Sequence, residues 1–245
     1  MNKITALIFV LFFPFCVSAQ EIDSLNSREK PGIKPFIIPT ALIGYGFLAK
    51  GDNFLNQFDK SIQRRFHTDD PNPSERADDI LRYTPAAMVY GLHLVGIKGK
   101  NDLVDATGIY VLSTAIMGVS VQTTKRLSQH ERPDGSDQHS FPSGHASTAF
   151  ASAEFLRKEY ADVSPWYGYA GYTIAAATGV LRLQHNKHWF GDVVAGAGFG
   201  ILSTKAAYLL YPELKKLFKG KNTSSYSIIP AYQQKRIGLN FNATF

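Results

Sequence analysis

At 245 residues the chain has room for one domain with a sizeable core. It carries 26 lysines and arginines against 20 aspartates and glutamates, a net charge of +6, which suits an anionic partner: nucleic acid, a membrane surface or a phosphorylated ligand. Nothing resembles a nucleic-acid module and the cations are interrupted by apolar segments, which leaves membrane and phosphate; the single cysteine, Cys16, excludes an intramolecular disulfide framework.

Residues 1–19 have the pattern of a targeting segment. Lys3 is followed by an apolar run from Ile4 to Val17 and by the small residues Ser18 and Ala19. This is a signal peptide or a retained anchor, and either implies export. Phe13-Pro14-Phe15 before Cys16 lacks the small residues of a lipoprotein site. Residues 20–79 form a polar and interfacial N-terminal region. Within it, Phe36 to Ala49 is apolar and broken early by Pro39. At about 14 residues it falls short of the ~20 that span a bilayer, so an interfacial or half-inserted helix is expected. Residues 51–79 are charged, and Asp69-Asp70-Pro71-Asn72-Pro73 marks a loop.

The core is expected over residues 80–212. Its helical segments are Ile80–Ile97, Leu103–Thr123, Ala146–Leu156, Trp166–Leu181 and Val193–Tyr211. They are rich in Ala, Gly, Ser and Thr, which suits close helix packing within a membrane. The expected fold class is therefore all-α: a membrane-embedded bundle of about five or six helices. A mean hydropathy of −0.12 keeps a soluble helical fold in view. In the tail, residues 213–245, the positions Ile237, Leu239, Phe241, Ala243 and Phe245 alternate with polar residues or Gly. That is a strand period and gives a short β tail. A terminal Phe also resembles the end of an outer-membrane barrel protein, but one strand makes no barrel.

Charge gives a topology. If 36–49 crosses, every side flips; if the first segment exports the chain behind it and 36–49 does not cross, which is the preferred reading, then Lys98, Lys100, Arg157, Lys158, Lys215, Lys216, Lys219 and Lys221 fall on the cytoplasmic side. The polar clusters at the other helix ends then face outward.

Those clusters carry the chemistry. The first is Lys125-Arg126-Leu127-Ser128-Gln129-His130-Glu131-Arg132-Pro133, the second Pro142-Ser143-Gly144-His145, and the third runs from Arg182 through His188 to Asp192. Lys125, Arg132 and Arg182 suit a phosphate, the arginines through planar bidentate forks. Ser143 and Gly144 sit where a turn enters a helix, with N–H groups presented to an anion. His188 and Asp192 are four apart and share a helical face, so the carboxylate can fix the imidazole tautomer. Each cluster alone has an ordinary explanation: flanking cations, a helix cap, a surface pair. Together the three spacings do not. His130, His139 and His185 have no assigned role.

The order K-x6-R-P, P-S-G-H, R-x5-H-x3-D resembles the tripartite signature of the type 2 phosphatidic acid phosphatase superfamily. One position departs: Leu181 stands where the family usually has Ser, which costs one phosphate donor. The resemblance implies phosphoryl transfer without a cofactor, with His188 as nucleophile, His145 as general acid and base, and Asp192 orienting His188. Lys125, Arg132, Ser143, Gly144 and Arg182 would bind the phosphate. No cluster of Cys, His and carboxylates stands at zinc or calcium spacing. Residues 91–212 also resemble envelope phosphatases of Bacteroidetes-type bacteria. The expected substrates are membrane lipid phosphates: lipid A, phosphatidylglycerophosphate, phosphatidic acid or undecaprenyl diphosphate. The expected place is the inner membrane of a bacterial envelope, with the site facing the periplasm. The alternatives are a soluble periplasmic acid phosphatase, a vanadate-dependent haloperoxidase, for which the chain is short, and a catalytically dead membrane protein.

Overall fold

The computed structural model describes residues 32–67, 77–218, 225–233 and 236–244. The targeting segment therefore lies outside the described residues. Eight helices occur among them: α1 Lys34–Ala49, α2 Phe54–Phe66, α3 Ala77–Leu81, α4 Thr84–Leu94, α5 Leu103–Ser128, α6 Gly144–Tyr160, α7 Pro165–Gln184 and α8 Phe190–Phe218. Two strands follow, β1 Ser225–Gln233 and β2 Arg236–Thr244. The expected fold class holds, with more helices than five or six. The chain divides into two units, Met1–Ala207 and Tyr208–Phe245.

Two differences from expectation lie in the N-terminal half. Residues 51–67 have the composition of a charged connection, but residues 54–66 fold as α2. Asn53 caps this helix by accepting from the Asn56 N–H. Ile62 and Phe66 pack on the core with Phe190 and Val193, so the charges of α2 mark a solvated face; the loop expected at residues 69–73 lies outside the described residues. The second difference is Ile80–Ile97, which is not one helix. Arg82 and Tyr83 separate the five-residue α3 from the eleven-residue α4, whose Pro85 suits a helix start. At 1.5 Å per residue, α4 covers about 16 Å, roughly half a bilayer core.

The first unit is built around α6. Every residue from Ala146 to Leu156 is buried, with α4, α5 and α7 packed against it. Small residues permit this. A Cβ on Gly200 of α8 would lie 2.7 Å from the Ala151 nitrogen of α6, and one on Gly198 would lie 2.5 Å from the Pro39 carbonyl oxygen of α1. Both faces of α8 thus approach another helix backbone to backbone. Hydroxyls join the helices where packing is closest. Ser113 of α5 and Thr204 of α8 are 2.7 Å apart, and Thr204 also donates to the Ala151 carbonyl. Stranding such a buried group would cost about 1–3 kcal/mol.

Among the described residues, two helices are long and apolar enough to cross a membrane, Leu103–Ser128 and Phe190–Leu217. On α5 one face stays uncovered: Val104, Val111, Val119 and Leu127 are 60–81% exposed and recur every seven or eight residues. In the second unit, β1 and β2 form an antiparallel hairpin with Ser225 opposite Thr244 and Gln233 opposite Arg236.

Candidate active site

The three clusters meet at one end of the first unit. Lys125 lies in the last turn of α5, which Gln129 closes in the left-handed conformation (φ 41°). The chain then loops back to Ser143, the N-cap of α6. The third cluster runs from the last turn of α7 to the first turn of α8. The Ser143 N–H donates to the Asp192 carbonyl at 2.9 Å, fastening the second cluster to the third.

His188 is 2% exposed and Asp192 1%. The His188 Nδ1 lies 3.5 Å from Asp192 Oδ2 and 3.5 Å from Ser140 Oγ. Ser140 donates to that same carboxylate oxygen, and the Trp189 N–H donates to it at 2.9 Å. Asp192 is thus held from its own backbone turn and from the preceding loop, on the Nδ1 side of the ring. The other nitrogen, Nε2, faces Arg132 Nη1 at 3.4 Å. Burial pushes the His188 pKa down to about 4 although Asp192 opposes the shift. The ring is therefore neutral near pH 7, with its free lone pair on the cation side.

The cations are braced by oxygens. Lys125 Nζ donates to the carbonyls of His139 and Ser140 at 2.6 and 3.3 Å. Arg132 donates to the Lys187 carbonyl and pairs with Asp137 at 2.9 Å. Arg182 is bound through Nη1 by Asp78, a carboxylate with no exposure. These contacts leave part of each donor set for a ligand; Lys125 approaches Gly144, where a Cβ would meet its side chain at 4.0 Å. Ser143 is fully buried, and its hydroxyl accepts from the Ala146 N–H as the helix cap.

The structure thus gathers Lys125, Arg132, Ser143, Gly144, His145, Arg182, His188 and Asp192 at one place. It adds groups that sequence reasoning missed. His130, without a role in the sequence pattern, has Nδ1 at 3.4 Å from the Asp192 oxygen that faces away from His188. Asp59 of α2 accepts from the Gly191 N–H at the start of α8; burial pushes its pKa up to about 7. Asp78, Asp79 and Arg82 surround Arg182 and His145. No spacing rule links these residues to the clusters. Only for His130, inside the first cluster, was there a signal: a polar residue five positions after Lys125.

Residues 106–216 match the PAP2 superfamily. The chain is similar to the lipid A 1-phosphatase of Porphyromonas gingivalis, with 37% identity over 149 residues, 58% of this chain and 31% of that protein. The chain thus spans about a third of that relative's length. It is also similar to the lipid A 4'-phosphatase of Helicobacter pylori, at 27% identity over 65% of this chain and 84% of that protein. Among solved structures, Aquifex aeolicus LpxE aligns with a TM-score of 0.48 and 18% identity, covering 61% of this chain and 93% of that one. A transmembrane PAP2-type phosphatidylglycerolphosphate phosphatase from Bacillus subtilis aligns with a TM-score of 0.46 and 18% identity, covering 76% of this chain and 99% of that one.

Proposed function

We propose that the protein is a metal-independent phosphatase of membrane lipid phosphates that works through a phosphohistidine. The observation that carries this is the placing of His188: buried, neutral, with Asp192 behind Nδ1 and the Arg132 cation in front of Nε2. Lys125, Arg132 and Arg182 neutralise the phosphate oxygens, most strongly as charge gathers in the in-line transition state. The His188 Nε2 lone pair attacks phosphorus while the bond to the lipid oxygen breaks. His145 gives its proton to that oxygen. Water then attacks the phosphohistidine and loses its proton to His145, and the P–N bond breaks to release phosphate.

The substrate class has two supports. The exposed apolar face of α5 suits lipid contact, and the Porphyromonas and Helicobacter relatives are lipid A phosphatases. A lipid A phosphate is therefore the first substrate to test. We place the site on the periplasmic side of the inner membrane. Lys98, Lys100, Arg157 and Lys158 lie at the helix ends remote from the clusters, where the Lys100 N–H reaches the Glu159 carbonyl, and the positive-inside bias puts such ends in the cytoplasm.

The test is phosphate release by purified protein from lipid A, phosphatidylglycerophosphate, phosphatidic acid, undecaprenyl diphosphate and p-nitrophenyl phosphate, with and without chelator and vanadate. Release from a lipid phosphate that survives chelator and is blocked by vanadate is expected, since vanadate adopts the five-coordinate geometry of the transferring phosphorus. Activity lost to chelator and restored by a divalent ion overturns the mechanism. Activity on p-nitrophenyl phosphate alone overturns the lipid assignment.

A further inference from the structure

His145 and His188 differ in their surroundings. His145 Nε2 meets two groups at once: Asp79 Oδ1 at 2.9 Å and Arg82 Nη1 at 3.1 Å. Asp79 and Arg82 also pair with each other at 3.1 Å. A single ring nitrogen cannot satisfy both in one state. With a proton on Nε2 it donates to the carboxylate; without one, its lone pair accepts from the guanidinium. Neither residue lies in the part of the chain that matches the PAP2 superfamily, residues 106–216. They come from α3 and the turn after it.

We infer that Asp79 and Arg82 are positioning residues for the general acid: each stabilises one of the two protonation states through which His145 must cycle. The inference rests on the phosphatase reading above. In the resting site the Nε2–H is held by Asp79. During turnover that proton passes to the lipid oxygen as its bond to phosphorus breaks, and the lone pair left behind is met by Arg82. When water attacks the phosphohistidine, its proton returns to Nε2 and the Asp79 contact re-forms. The proton count closes over the cycle.

The charges around His145 set the sign of the effect. Asp78 lies 4.0 Å from Nε2 on the α3 side. Arg182 of α7 is the nearby cation beside Arg82, and Lys125 of α5 lies by the neighbouring Gly144. Burial lowers the His145 pKa, Arg182 lowers it further, Asp79 raises it and Arg82 lowers it. Asp79 thus opposes the burial and the two cations, Arg182 and Arg82, that favour the neutral ring. A general acid must be protonated to act, so its pKa marks the alkaline limb of the rate profile. Removing the Asp79 charge moves that limb to lower pH. Removing the Arg82 charge moves it to higher pH.

The experiment uses the full chain in detergent and two readouts. The first is the titration of the His145 ring by NMR of histidine-labelled protein, in the unaltered chain and in Asp79→Asn, Asp79→Glu and Arg82→Gln. The second is the pH profile of kcat/KM on an alkyl phosphate and on p-nitrophenyl phosphate. The ring pKa and the alkaline limb on the alkyl phosphate are expected to fall in Asp79→Asn, to recover towards the original in Asp79→Glu, and to rise in Arg82→Gln. Each unit of pKa lost is about a tenfold loss of rate above the limb. The loss in Asp79→Asn should be larger on the alkyl phosphate, whose alkoxide needs the proton, than on p-nitrophenyl phosphate. General damage to the fold moves both variants the same way, so shifts of one sign, or none, overturn the inference. If the unaltered chain releases no phosphate from any substrate, the phosphatase reading falls, and the ring titration still decides whether the two residues hold the two states.

Discussion

The two histidines stand at the starts of two helices, His145 in the first turn of α6 and His188 just before α8, yet their surroundings are opposite. His188 is sealed, with 2% of its side chain exposed and a carboxylate of 1% exposure behind it. His145 is 23% exposed and pairs with Asp79, itself 52% exposed. On the proposed roles, His188 as nucleophile needs an unprotonated lone pair, and burial favours it by disfavouring the charged ring. His145, as the proposed general acid, would exchange its proton in every cycle, which its partial exposure favours. The difference is imposed by the cover over each helix start: the cluster loops over His188, and the short α3 with its carboxylates over His145.

The comparison is broken most severely at the sealed end. His188→Ala is expected to abolish turnover, and no phosphoenzyme should be trapped in an acid-free quench. Residual turnover near that of the unaltered chain would mean the nucleophile lies elsewhere. Asp192→Asn should fold and slow the reaction by about 10³-fold or more, because an amide can hold the wrong tautomer of His188. Circular dichroism together with single-turnover rates separates that outcome from misfolding.

At the open end the expected effect is smaller and depends on the substrate. His145→Ala removes a contribution of ~10²–10⁴ on an alkyl phosphate, and less on p-nitrophenyl phosphate, whose leaving group needs little protonation. Equal losses on both would remove the assignment of His145 as acid. Between the two ends stands Arg182, already held on one side by Asp78. Arg182→Lys keeps the charge but replaces a fork with a point charge and should lose most of the activity. Near-normal rates there would reduce Arg182 to a flanking cation.

The smallest expected effect concerns stability. His188 has its folded pKa pushed down to about 4, against about 6.5 for an unperturbed histidine. Between these values the unfolded chain binds the extra proton, so this group's contribution is present above pH 6.5 and is lost as pH falls towards 4. Asp59, raised to about 7, acts in the other direction over an overlapping range, since there the folded state holds the extra proton. Comparison with His188→Gln isolates the histidine. Its melting temperature should fall less between pH 6.5 and 4 than that of the unaltered chain; parallel curves would show that His188 is not buried neutral.

Much of the geometry of the candidate site was legible before folding, because its residues lie at short range along the chain. Arg182, His188 and Asp192 lie within one helix–turn–helix, and Pro142 to His145 enter one helix, so their spacing along the chain is their spacing in space. The same holds for the alternation that became β2 and for the small-residue helices. The charged stretch before the core was harder. Its amphipathic period from Phe54 to Phe66 was masked by Lys60, Arg64 and Arg65, which are exposed, and the break at Arg82 and Tyr83 falls just before Pro85, which suits a helix start.

The sequence by itself determined the inventory: three clusters, their order, and the helices at whose ends they stand. Only the tertiary structure decided which carboxylates serve which cations and rings. Asp79 meets His145 across 66 positions, and Asp78 meets Arg182 across 104. No backbone periodicity relates residues so far apart. Their meeting depends on how α3 lies over α6 and α7, and the bare sequence offers an aspartate of a short charged stretch no reason to be preferred over its neighbours. The same holds for His130 and Ser140, which become partners of Asp192 only when the loop between α5 and α6 folds back over the start of α8.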